Sequence, residues 1–222
     1  MKKILNLFFV VLCFGCYDDD LTIIEDSDDA LHNSSELTAL LRGVSSHNTI
    51  FDQFIDGSTC FSIEFPYKVK LEDNHILELT NKEELAEFAS QNHQNYEFLY
   101  PLQIKTADYT AHQVAHKNQH LDLLTQCKEG LLFKNHIDCA ELIYPIQLKV
   151  AFTKNNRFEQ RALNDAEALY NFLSNLSDDV RFEIKQPIDL FLYQNEHYKT
   201  TSNAELLALI LEASSQHCDV ID

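Results

Sequence analysis

Six cysteines and ten histidines are the side chains in this sequence with the chemistry to bind a metal or act as nucleophiles. His112, His116 and His120 are spaced by four, which on one helix would stack three imidazoles on a single face. The surrounding pattern instead sets His112 and His116 in a strand and His120 at a helix start. Residues four apart on a strand lie about 13 Å apart, too far to share a zinc with ligands at about 2.0–2.1 Å. No His-Glu-x-x-His occurs, and Cys60, Cys127, Cys139 and Cys218 have no Cys-x-x-Cys spacing. There is no Gly-x-Ser-x-Gly elbow and no glycine-rich phosphate loop. The acidic pairs Glu83–Glu84 and Asp178–Asp179 fall at a helix start and in a turn, where the helix dipole and solvent account for them. Asp26, Asp28 and Asp29 lack the glycine and distal glutamate of a calcium loop. These residues predict no catalytic site, no metal and no cofactor.

What the cysteines do is set by the elements that carry them. Between Cys60 and Leu71, apolar residues fall at Phe61, Ile63, Phe65, Tyr67, Val69 and Leu71, with polar residues and Pro66 between them. That period-two pattern is a strand with one face buried and one wet. It returns around Pro101, Pro145 and Pro187, so all four prolines of the chain sit at one place in a repeat. Each proline strand precedes a polar turn, a weaker strand and a helix. Asn81–Glu84, Asn164–Glu167 and Ser202–Glu205 read as capping boxes for three of these helices, and the helix over Lys117–Gln126 lacks one.

A hairpin with one helix is marginal alone, so the four repeats should pair. Cys60 and Cys139 each lie six residues before a proline, while Cys127 and Cys218 each follow a helix. In an oxidising compartment this spacing favours Cys60–Cys127 and Cys139–Cys218, one of three connectivities for four cysteines. The expected fold is α+β, with two tandem modules at 58–129 and 137–220. Each would be a four-stranded antiparallel sheet with two helices on one face (ββαββα). Proline cannot donate to a ladder and the alternation shows no bulge, so the proline strands are expected at the edges, in order 1-2-4-3.

The N-terminus has a different character. Lys2 and Lys3 precede an apolar run, Ile4 to Phe14, too short to span a bilayer. It ends in Gly15-Cys16, which resembles the lipobox of bacterial lipoprotein precursors, although Cys13 and Phe14 stand where that motif has leucine and a small residue. The resemblance implies a signal peptide at 1–15, lipidation of Cys16 and a membrane anchor on the cell envelope. Residues 16–33 form an acidic tether, similar to the signal that places some lipoproteins on the outer surface. Residues 34–57 then supply a short helix, opened at Asn33–Glu36 and stopped at Gly43, and a lead-in packing Ile50, Phe51, Phe54 and Ile55 on the first module.

The chain from about Asn48 to Cys218 also resembles a family of bacterial lipoproteins with a Cys-Phe-x-Ile-x-x-Pro opening, here Cys60 to Pro66, aromatic-Pro-aliphatic strands such as Tyr144-Pro145-Ile146, and a closing cysteine. That likeness carries no activity with it. Charge excludes one class of partner. Thirty-five acidic against seventeen basic residues give −18, a field that repels nucleic acid. The expectation is a lipid-anchored, non-catalytic envelope protein with a binding or structural role. Its candidate contact face is the wet side of the sheets: Glu64, Lys68, Lys70, Gln147, Lys149, Glu183 and Lys185. One alternative is an inhibitor or chaperone-like module that takes a protein or peptide partner by strand addition. Another is a hydrolase with its site at the module junction, near Gly130 to Asp138.

Overall fold

The computed structural model describes residues 29–91, 95–133, 135–193, 196–216 and 218. Cys16, the leader and the tether up to residue 28 lie outside them. No helix among the described residues is long and apolar enough to cross a membrane. The fold is α+β, with four three-stranded antiparallel sheets.

Helices α1 (Glu36–Val44) and α2 (Gln53–Asp56) come first. The first half then runs β1 (Phe61–Ile63), β2 (Tyr67–Leu71), β3 (Ile76–Leu79), α3 (Lys82–Ser90), β4 (Tyr96–Leu99), β5 (Leu102–Thr106), β6 (Ala111–Val114) and α4 (Lys117–Lys128). The second half repeats the order: β7 (Ala140–Leu142), β8 (Ile146–Phe152), β9 (Arg157–Leu163), α5 (Ala166–Ser174), β10 (Val180–Ile184), β11 (Ile188–Leu192), β12 (Glu196–Thr200) and α6 (Asn203–Gln216). Each proline therefore divides one long strand into two short ones, and all four X-Pro bonds are cis.

This corrects the expected strand order. The proline strands pair with each other, so the portion after each proline is central and the portion before it is an edge, and in place of one four-stranded sheet each half has two sheets, β1-β5-β6 with β3-β2-β4, and β12-β11-β7 with β10-β8-β9. The register explains how prolines are tolerated there. Ile63 faces Ile104 before the break and Lys68 faces Leu99 after it, five residues on in one strand and five back in the other. That single register sets Pro66 opposite Pro101. In the second half Ile184 faces Leu148 and Leu190 faces Leu142, which sets Pro187 opposite Pro145.

Antiparallel ladders alternate between pairs that exchange hydrogen bonds and pairs that do not. The bonds Glu64 N to Gln103 O and Lys185 N to Gln147 O show that each proline pair occupies a bonding position. Two prolines face each other where two donors would be needed, so neither strand is left with an orphaned N–H. The ladder stops there without losing phase, which is why the alternation runs straight through.

Buried apolar side chains form two clusters, one around Phe61, Val69, Leu79, Leu85 and Ile104, the other around Leu148, Val150, Leu169, Phe182 and Leu190. Disulfides Cys60–Cys127 and Cys139–Cys218 join the pairs that the spacing favoured, with Cα atoms 5.8 and 5.1 Å apart. Their cysteines are separated by 67 and 79 positions in sequence, for which chain entropy gives a stabilisation of about 4 kcal/mol each. The helix starts follow their sequence signals with small shifts. Asn81 accepts from Glu84 N, Ser202 from Glu205 N, and Asp165, rather than Asn164, from Ala168 N. Helix α4 keeps half a capping box, Gln119 accepting from Ala115 N at 2.7 Å, and His116 is its N-cap instead of a strand residue.

The lead-in divides between the halves. Leu37, Leu41 and Val44 of α1 join the second cluster, packing on α5 and α6, whereas Phe51 and Ile55 pack with the first and Phe54 is exposed. Gly43 lies inside α1 rather than ending it. Its carbonyl accepts from Ile137 N, and a Cβ there would sit 2.7 Å from the Asn135 carbonyl. Close approach of helix and connecting segment is what requires the glycine.

Candidate functional site

Three clusters of side chains have chemically suggestive geometry, and in each the polar groups are committed to contacts within the fold. Ser46 lies at the junction, its Oγ 2.7 Å from His136 Nδ1, with Asp138 close enough to favour the charged imidazole. The Ser46 hydroxyl donates to the Gly43 carbonyl at 2.8 Å, however, and is buried. Burial also lowers the His136 pKa. A serine whose proton is already committed to a backbone carbonyl is not activated by the imidazole beside it. At His47, Nε2 is 2.7 Å from Ser62 Oγ and 3.8 Å from Glu64 Oε1. In a nucleophilic triad the serine and the acid occupy opposite ring nitrogens; here both meet the same one. Burial brings the His47 pKa down to about 4, and Ser62 is sealed in the core.

The third cluster is acidic. Asp52 is 0% exposed and Asp56 4%. Burial pushes both carboxyls well above the ordinary aspartate range, and repulsion from Asp52 adds to the effect on Asp56. Their hydrogen bonds show what they do. In β1, Ser62 and Glu64 face β5, so the N–H groups of Phe61 and Ile63 point to the free edge. Asp52 Oδ2 accepts from Ile63 N at 2.9 Å, and Ser58 Oγ accepts from Phe61 N at 3.3 Å. Asp56 Oδ1 holds Ser58 in place by accepting its N–H at 2.8 Å. These groups close a strand edge.

The corresponding edge of β10 is closed by backbone. Leu31 N donates to Phe182 O at 2.8 Å and Phe182 N donates to Leu31 O at 3.0 Å, an antiparallel bridge. The last residues of the expected tether are thus docked on the second half, where Asn203 also binds the Asp29 carbonyl.

The edge of β4 is different. Leu71 N donates to His75 O on the β3 side, so Lys68 and Lys70 bond β4 through Leu99 and Glu97, and the main-chain groups of Tyr96 and Phe98 face outward. Among the described residues nothing pairs with them there. Beside this edge opens a cleft of about 880 Å³. Tyr96, Phe98 and Tyr100 form one wall, Lys117, His120, Leu121 and Leu124 of α4 the other, and Ile55 and Asp56 the base. Tyr96 is held rigidly, its hydroxyl donating to the Ile55 carbonyl at 2.6 Å.

His120 is 5% exposed, its Nδ1 3.2 Å from the Tyr100 hydroxyl, its Nε2 buried without a partner among the described residues. Leu102 faces Val114 as Ile188 faces Thr200, so His120 stands where the second half has Leu206, a fully buried leucine. Leu121, the next residue, is 48% exposed in the cleft wall.

Of the expected contact face, Lys70 alone lines this cleft. The other charges largely neutralise each other across strands, Lys68 with Glu78, Glu64 with Lys105 and Lys149 with Glu183, while Gln147 and Lys185 are exposed. The seven residues form no single convergent site. The three histidines are likewise dispersed over β6, the cap of α4 and its first turn. Among the described residues, one group has metal-ligand proximity, Asp138 with Cys139 and Cys218, but those sulfurs are bonded to each other. The junction residues Ser46 and His136 line neither the large cleft nor a smaller one of about 420 Å³ beside α5.

No family model, curated protein or solved structure matches the chain.

Proposed function

We propose that this chain is a lipid-anchored, non-catalytic protein of the bacterial cell envelope that binds a ligand in the cleft between β4 and α4. Its plan is a duplicated duplication, two ββαββα modules, the second carrying the anchor segment and the first carrying the site. The observation that supports binding is the contrast in closure: reactive-looking side chains are sealed, while an aromatic and aliphatic cleft with an unpaired strand edge stays open. Pockets with apolar walls and few polar groups are the usual form of binding sites. The acidic surface suits a partner other than nucleic acid.

The test is a photo-cross-linking residue placed in living cells at Leu121, in the cleft, and at Leu211, an exposed leucine of the second half. Discrete adducts from position 121 and none from 211 support the reading; equal adducts, or none from either, overturn it. Cys16→Ser should in parallel abolish incorporation of labelled fatty acid and release the protein from the membrane fraction.

A further inference from the structure

We propose that the cleft takes an extended peptide of a partner protein, added as an antiparallel strand along β4 with an aliphatic side chain opposite Tyr96. This rests on the binding reading above and names its ligand.

The reasoning is internal to the molecule. Phe182 lies five residues before Pro187, and Tyr96 five before Pro101. The two positions match in register, and both turn their main-chain groups away from the sheet. At Phe182 the partner is a single aliphatic residue, Leu31, in an isolated antiparallel bridge that exchanges both main-chain hydrogen bonds. An established pairing in one half thus has a counterpart in the other, with the same backbone pattern and no segment of the described chain on it. An unpaired N–H and C=O at alternate residues is the template for a strand, because only another backbone offers donors and acceptors at that repeat.

The neighbourhood suits the side chains of such a strand. Leu121 and Leu124 offer apolar contact on the α4 side, and Leu121 is half exposed until something covers it. Lys70 and Lys117 on the rim are balanced by Glu72 and Glu97, so recognition rests on backbone and an aliphatic anchor rather than on net charge.

The experiment uses the processed full-length chain in detergent and a displayed library of random decapeptides. The best binder is then synthesised in a series, each member N-methylated at one residue. Strand addition predicts that methylation at alternate residues weakens binding at least about tenfold, a loss of about 1.4 kcal/mol, while the intervening residues change it less than about twofold. Replacing the aliphatic anchor by alanine should cost about tenfold as well, and Leu121→Asp on the protein should abolish binding. A flat or three-to-four-residue methylation profile overturns strand addition but leaves the cleft reading standing. Failure to enrich any peptide overturns strand addition too, and cross-linking at Leu121 then decides the broader reading separately. Self-association of the chain that the peptide competes away would assign the edge to a second copy and also overturn the proposal.

Discussion

The edges of β10 and β4 are two copies of one structure treated in opposite ways. Both precede a central proline, both expose main-chain groups at the fifth residue before it, and both lie beside a helix. The chain closes the first with its own Leu31 and leaves the second without a partner among the described residues. On β1 the same need is met by Asp52 and Ser58 side chains. The edges match in register and differ in what covers them. An exposed edge is a liability unless something is meant to use it.

The strongest way to break the comparison is to unseal β10. Leu31→Ala should destabilise the protein by about 2–4 kcal/mol in denaturant unfolding, since Leu31 is buried in the second cluster. Leu121→Ala in the cleft should change it by less than about 0.5 kcal/mol. Equal losses at the two sites would mean that the cleft is as tightly packed as the closed edge.

Gly43→Ala tests whether α1 truly belongs to the second half. The new methyl would meet the Asn135 carbonyl and Ile137, and an overpacking cost of about 1–3 kcal/mol is expected from thermal or denaturant unfolding. A neutral result would mean that the connecting segment yields without cost.

The acids behind β1 make their edge sensitive to pH. Asp52 and Asp56 have folded pKa values above the unfolded ones, so the native state holds protons that the unfolded state has lost. Their contribution is present below the unfolded aspartate range and is lost as pH rises toward the folded values. His47, whose folded pKa is lowered, acts oppositely, but only below its ordinary value of 6.5. Between about pH 7 and 9 the wild type should therefore lose stability. Asp56→Asn should flatten that decline by at least about 1 kcal/mol, read from denaturation midpoints at the two pH values. Parallel pH curves would show that Asp56 is ionised in the fold.

The smallest effect should come from His120→Leu, which installs the residue found at the matching position of the second half. Losing the buried Nε2, which has no partner among the described residues, offsets losing the Nδ1 contact with the Tyr100 hydroxyl, so the stability of the free protein should change by less than about 1 kcal/mol. A larger loss in denaturant unfolding would show that the Tyr100 contact dominates.

Much of this architecture was legible in the residues. Period-two alternation at Phe61–Leu71 and its three echoes marked the strands, because one wet and one buried face leave that pattern. The cysteine spacing marked the pairings, because helix ends and strand starts recur at fixed offsets. The position of the proline strands was not legible. A proline reads as an edge residue when only its own missing donor is considered, and Pro66 becomes tolerable in a sheet centre only because Pro101 faces it. The cleft was hidden for a related reason. Nothing local in Tyr96-Glu97-Phe98 distinguishes it from Phe182-Glu183-Ile184; the difference is made by Leu31, far away in sequence. His120 was noticed for its spacing, but its meaning came from the leucine that replaces it across the repeat.

The attachment of residues 29–44 to the second half also fixes an order of assembly. A chain synthesised from its N-terminus presents Leu31 long before Phe182 exists to receive it. Throughout that interval Leu31 and the amphipathic helix after it wait without their cradle, and the last portion to arrive is the one that captures the first.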